Sequence, residues 1–373
     1  MTNSERAATG TLRPTLGFTD LVLIVIGTVI GSGIFIVPAT VLRQTEGALG
    51  PAFLVWLVAG VLSLLGALTY GELGAANPDA GGLYVYIRDA FGPLPAFLYG
   101  WTAFFVISTG STATLAVAFT GYLGQFMTVS PAMAKIVAVL VIVVITVVNV
   151  LGTRKGSNVQ NLSTAVKTLA ILGMSAALLV HGRGFSGDIQ VWPTTMSPGL
   201  LSGVGLAMVG VLWAYEGWQY VTFSAGEARD PQRTFPRAIV FGTAVLIVIY
   251  LAANAAYVAA LGPSGVQASQ RVAADSVSAL FGPAAGKLIA AVILVSMFSA
   301  ANGLTLTSSR LYYAGLIRRI QIGKGFPVRG VYPAPVDVVL VSSRCHAFTG
   351  SNGTKAALLA RSFRMNRRCL FLR

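Results

Sequence analysis

An all-α, polytopic membrane fold is predicted by three observations. The 373 residues are 55% hydrophobic and only 10% charged, with a mean hydropathy of +0.74, whereas soluble domains carry about 25% charged residues. About eight apolar runs are long enough to cross a bilayer, which takes roughly 20 residues. Two of those runs carry polar or glycine-rich breaks at their centres.

The first run, Leu16 to Leu42, reads Gly31-Ser32-Gly33 at mid-span. Glycine costs about 1 kcal/mol against alanine inside a helix, and serine adds a side chain that competes for backbone hydrogen bonds. One reading is a helix that unwinds halfway. Backbone left unpaired at that depth is tolerated only where it is buried in protein or lines a cavity, and the half-helix ends then offer N–H donors to a carboxylate and carbonyls to a cation. The other reading is close helix packing through Gly27 and Gly31, a small-xxx-small pair. This run leaves the two open.

The remaining spans follow in order. Span two is about Pro51 to Ala76, with Glu72 and Asp79 at its interfacial end. Span three is about Leu94 to Met127, rich in Ser, Thr and Gly near Ser108 to Thr114, which suits helix packing with some cavity lining. Span four is about Ala132 to Leu151 and span five about Leu162 to His181, with Lys167 on its first turns. Span six, about Leu200 to Ala225, is interrupted at Trp213 to Trp218. Span seven is about Pro236 to Leu261, and Gln267 to Phe281 reads as a short amphipathic segment. Span eight, about Ala284 to Leu316, contains Asn302 and Gly303, which either pack or face a substrate path, and ends in Ser308-Ser309-Arg310.

Basic residues set the orientation. A cytoplasmic N-terminus places Arg6, Arg13, Arg88, Arg154, Lys155, Arg229, Arg233 and Arg237 inside, against Arg43, Lys135, Arg183 and Arg271 outside. Residues 1–15 form a polar tail without a cleavable signal. The net charge of +14 is lopsided: Leu316 to Arg373 holds 11 basic residues and one acid, Asp337, leaving only +4 on residues 1–315. Binding of nucleic acid or anionic lipid would therefore rest on the tail alone, and no nucleic-acid partner is expected. Cys345 and Cys369 also lie there, so the body has no disulfide.

Glu216, flanked by Tyr215 and Gly217, is a mid-membrane carboxylate, which marks a functional position by default; the bland alternative is a hydrogen bond stitching the turn. Paired interruptions in two halves of a chain point to a transporter site. Lys167 either snorkels outward or points inward beside the unwound first helix. No phosphate-cradling loop, nucleophile–base pair or metal-ligand cluster is present, and His181 and His346 are isolated. Neither an enzyme nor a cofactor-dependent protein is expected.

Ile30-Gly31-Ser32-Gly33-Ile34-Phe35 with Pro38, Tyr70-Gly71-Glu72-Leu73, and Pro78…Gly81-Gly82…Tyr84-Val85-Tyr86 resemble amino acid permeases of the amino acid–polyamine–organocation superfamily. Ala214-Tyr215-Glu216-Gly217-Trp218, Glu227…Pro231…Pro236-Arg237-Ala238-Ile239 and Ser308-Ser309-Arg310 continue the pattern across residues 15–315. The chain looks most similar to bacterial exchangers and symporters related to the L-type transporters.

The resemblance implies a five-plus-five inverted repeat with spans one and six discontinuous. It implies that Gly31, Ser32, Gly33 and Ile34 bind the carboxylate and amino group of an amino acid. Ala214, Tyr215, Glu216 and Gly217 would bind the amino group and wall the side-chain pocket, and Lys167 would stand in for a sodium ion. Trp218 and residues 108–110 are weaker pocket candidates. The implied activity is exchange or proton symport of an amino acid, neutral by the small pocket residues, across the cell membrane.

The pattern breaks after span eight, where such permeases continue. Residues 317–373 turn basic and hold no run of 18 apolar residues. A truncated or frameshifted gene is the expected cause, which leaves the second repeat incomplete. The alternative function is a non-transporting permease remnant or a membrane accessory protein.

Overall fold

The computed structural model describes residues 14–185, 189, 191–193 and 197–322. Arg6, Arg13, Cys345, His346, Cys369 and the tail beyond Ile322 lie outside the described residues. Helices run α1 Phe18–Val29, α2 Gly33–Gln44, α3 Leu49–Ala76, α4 Leu83–Phe91, α5 Pro93–Thr102, α6 Thr109–Leu123, α7 Pro131–Val150, α8 Thr153–His181, α9 Pro198–Tyr215, α10 Pro231–Ala268, α11 Val272–Phe281 and α12 Pro283–Ile322. A π-helical turn at Ala103–Ser108 joins α5 to α6, and a 3-10 stretch at Trp218–Glu227 follows α9.

Among the described residues, seven helical stretches are long and apolar enough to cross a membrane, and α1 with α2, bent by 46°, make an eighth. The second break is sharper in its chemistry than in its extent: only Glu216 and Gly217 separate α9 from the 3-10 stretch.

Local sequence explains the starts. Ser130 and Ser197 cap α7 and α9, accepting hydrogen bonds from the Met133 and Leu200 N–H groups at 3.2 and 2.9 Å. A proline at the next position gives up an N–H that would have gone unpaired anyway. In α10, Gly262 takes φ 69° and ψ 168°, so the helix kinks there before Pro263.

The spans divide by environment. On α7, Ile136, Val139, Leu140, Val143 and Val147 are all exposed at helical spacing, the surface a lipid-facing helix presents. By contrast α1 lies at the centre, packed against α8, α10, α12 and the 3-10 stretch. α10 packs most extensively on α3, where Gly71 lets the Pro236 backbone approach so closely that a β-carbon would sit 3.2 Å from it, the small-residue contact expected where lipid offers no hydrophobic drive between helices.

The structure moves one boundary and decides one open alternative. α8 begins at Thr153, nine residues before the predicted start, so Lys167 lies about four turns inside it rather than near its end. Asn302 packs: it accepts from Asn149 Nδ2 at 2.9 Å and donates to Gln160 Oε1 at 3.0 Å. Gln160 in turn donates to Thr164 Oγ1 at 3.3 Å. This polar ladder ties α7, α8 and α12 together. The sequence reading saw each amide separately; only the helix packing joins them.

The stretch from Glu227 to Pro236 is tied down where it begins. Leu16 and Thr15 donate their N–H groups to Glu227 O at 2.9 Å, and Arg229 N–H returns one to Leu16 O at 2.8 Å. The Glu227 carboxylate is buried and receives Arg310 Nε at 2.8 Å; the side chains are 5% and 7% exposed. Arg310 also donates to Leu306 O and Ser309 Oγ. Asp20 completes this end, accepting from Asn161 at 2.5 Å and Arg154 at 3.0 Å.

Breaking a buried pair by removing one partner costs about 3–5 kcal/mol, because the other charge is left uncompensated. Arg310→Ala should therefore lower the thermal midpoint of the detergent-purified chain steeply. The double variant Glu227→Leu/Arg310→Met should lose less than Arg310→Ala alone, as read by the same melting curve.

Candidate substrate site

The site is built from the two helix breaks. Where α1 stops at Val29, carbonyls around the break lose their helical partners, and those of Gly27, Val29 and Ile30 are met by side chains from other helices. Lys167 Nζ of α8 donates to Gly27 O at 2.7 Å and Ile30 O at 2.5 Å. Ser296 Oγ of α12 donates to Ile30 O at 3.0 Å and lies 3.2 Å from Gly31 O. Tyr250 OH of α10 reaches Val29 O at 3.2 Å. A cation at the negative end of α1 is also favoured by the helix dipole.

On the other side of the break, α2 begins with Gly33. The N–H groups of Ser32, Gly33 and Ile34 open that helix and have no intrahelical acceptor, so the positive end of α2 points back into the gap.

The second break faces the first. Tyr250 OH is also 3.1 Å from Ala214 O, so one hydroxyl bridges the C-terminal ends of α1 and α9. Thr28 Oγ1 lies 3.0 Å from Gly217 O. Gly217 takes φ 128°, a value only glycine adopts without strain, and its N–H donates to Gln219 Oε1 at 3.1 Å. Gln219 Nε2 and Tyr220 OH then donate to Glu216 Oε1 at 2.7 and 2.5 Å. The turn thereby fixes the carboxylate. At Gly33 the backbones also approach closely, since a β-carbon there would sit 2.9 Å from the Ala214 Cα.

Between the breaks and α6 lies a cavity of about 310 Å³, at the lower end of the range for small-molecule sites. Gly31, Ser32, Gly33, Ala214 and Glu216 line it from the broken helices, and Gly110, Ser111 and Thr114 from the opposite wall. It brings together five of the eight substrate-site residues singled out in the sequence.

The other three stand behind it. Ile34 is fully buried in the core, Tyr215 sits edge-on to Trp56 with ring centroids 5.9 Å apart, and Gly217 closes the turn against Thr28. Lys167 also lies outside the lining, with 0% of its surface exposed, and acts on the cavity only through the α1 backbone that it holds. It points inward rather than snorkelling, since its ammonium is buried on the Gly27 and Ile30 carbonyls. Of the weaker candidates, Gly110 lines the cavity, Ser108 pairs with Ser308 at 3.0 Å, and Trp218 stacks on Tyr70 at 5.3 Å.

Tyr250 and Ser296 were not found from sequence. One aromatic in Val245 to Ala252 and one of two serines in Val292 to Ala300 look like ordinary helix residues. Gln219 and Tyr220 follow Glu216 directly and were within reach of a capping argument. No metal-binding cluster of His, Cys, Asp or Glu occurs among the described residues.

Two interrupted spans that face each other across a central cavity define a transporter-type membrane fold. The fold is shared with MhsT in complex with L-phenylalanine (TM-score 0.58, 14% identity, covering 90% of this chain and 80% of that one). A Na+-coupled sialic acid symporter is similar in the same sense (TM-score 0.61, 13% identity, 92% and 74%). The chain belongs to the amino acid permease family, whose pattern matches residues 16–320. It is 35% identical to the mouse b(0,+)-type amino acid transporter 1 over 84% of this chain and 64% of that protein. It is 30% identical to the serine/threonine exchanger SteT of Bacillus subtilis (strain 168), over 87% and 72%. The chain thus spans a little under two thirds of the mouse transporter's length.

Gly33→Ala should destabilise the fold by about 1–3 kcal/mol, the usual cost of overpacking, because the contact is backbone on backbone. Gly31→Ala should be tolerated, since its β-carbon would meet only Leu115 and Ala300 at 3.6 and 3.7 Å. Melting curves of the two purified variants measure the difference.

Proposed function

We propose that this chain carries amino acids across the cell membrane by alternating access, as an exchanger or a proton symporter. The observation that carries the reading is the pairing of opposite backbone ends at one cavity. The N–H groups opening α2 suit a carboxylate, while the C-terminal end of α9 and the Glu216 carboxylate suit an ammonium group. An α-amino acid offers both charges a single carbon apart. The family, and the amino acid transporter names its relatives bear, point to the same cargo.

In this mechanism Gly31, Ser32, Gly33 and Ile34 act through their backbone. Ala214, Tyr215, Glu216 and Gly217 form the facing turn, of which Glu216 alone brings a carboxylate. Lys167 serves as a fixed cation that keeps the α1 break open without a metal ion. A neutral substrate fits a lining with one carboxylate and no basic side chain.

The N-terminus is placed in the cytoplasm. Arg154 and Arg229 meet residues 15–20 at one end of the molecule, while Arg43 meets Gln267 elsewhere, at 2.7 Å. The basic-residue rule assigns the first group inside.

Proteoliposomes holding the full chain should show saturable uptake of a labelled neutral amino acid, stimulated by the same amino acid or a proton gradient. Lys167→Ala should reduce the rate at least tenfold, and Gly33→Leu should abolish it. Uptake that survives both substitutions unchanged would sink the reading. Binding without uptake would favour the non-transporting alternative.

A further inference from the structure

We propose that Gly110 sets the size of side chain the cavity admits, and that its missing side chain selects amino acids with bulky side chains. The inference rests on the amino acid reading above. The backbone ends at the two breaks recognise what every amino acid shares, so discrimination comes from side chains around the cavity, to which the opposite wall contributes Val106, Ile107, Ser111, Thr114 and Leu115.

That wall is one face of the α6 entry. Val106, Gly110 and Thr114 repeat at four-residue spacing, flanked by Ile107 and Ser111. Residues four apart on a helix share a face, which places Gly110 at the middle of the stripe. The neighbouring π-helical turn at Ala103–Ser108 is the type of local widening that is frequent at functional sites.

The glycines of the cavity differ in what they leave room for. A β-carbon on Gly33 would collide with Ala214 at 2.9 Å, and one on Gly31 would touch Leu115 at 3.6 Å; one on Gly110 would meet nothing within 4 Å. Gly110 is therefore not required by packing. Its recess has an apolar side, Val106 and Ile107, and a hydroxyl side, Ser111 and Thr114. A large neutral side chain fits this recess, and each methyl group added at residue 110 takes up space the substrate would use.

The test is calorimetric binding of alanine, leucine, phenylalanine and tryptophan to the purified full chain and to Gly110→Ala, Gly110→Leu and Gly121→Leu. Gly121 lies on the same helix, outside the cavity lining, and its β-carbon also meets nothing within 4 Å. A methylene in a binding pocket changes discrimination by about tenfold or more. Gly110→Ala should lower the affinity for tryptophan relative to alanine by about that factor, Gly110→Leu should remove binding of the aromatic pair while keeping alanine, and Gly121→Leu should leave the ratios unchanged.

Unmoved ratios in the Gly110 variants, with the parent chain binding normally, would overturn the role of Gly110 alone. A parent chain that binds none of the four would overturn the amino acid reading and this inference with it. If Gly110→Leu does not fold, the Gly110→Ala ratio decides.

Discussion

Everything at the centre of this protein follows from unpaired backbone in a place without water. The break at Ile30 to Ser32 strands carbonyls at the end of α1, and an unsatisfied polar group in hydrocarbon costs several kcal/mol. Lys167, Ser296 and Tyr250 meet that demand from α8, α12 and α10. Three helices are thus committed to one short segment, and Ser32 and Gly33, where α2 opens, line the cavity beside it.

The same contacts couple the two breaks. Tyr250 holds the ends of α1 and α9 with one hydroxyl, Thr28 touches Gly217, and Gly33 rests on Ala214. These contacts pack the two breaks against each other as a pair. The Asn149–Asn302–Gln160–Thr164 ladder ties α7, α8 and α12 to one another instead.

Far from the cavity, residues 15–20 are held by Glu227, Arg229, Arg154 and Asn161. The contacts at this end are both polar and apolar, since Leu16, Ala225 and Ala228 are buried in the hydrophobic core beside these hydrogen bonds.

The sequence by itself determined the all-helical membrane fold, the two broken spans and the outline of the site. Hydropathy and low charge settle the first, since apolar length is a local property. Gly31, Ser32, Gly33 and Glu216 were legible because glycine and a carboxylate contradict their apolar surroundings. What only the tertiary structure decided is which groups answer those contradictions. Tyr250 and Ser296 carry no local signal, Lys167 turns inward only because α1 packs its break against α8, and Ile34, Tyr215 and Gly217 share their neighbours' motifs yet stand behind the cavity wall. Whether Asn302 packs or faces a substrate depended on Gln160 and Asn149, 142 and 153 residues away. Local propensity shows where a backbone will break; only packing between distant helices determines which side chains satisfy the break and which face is left open for a ligand.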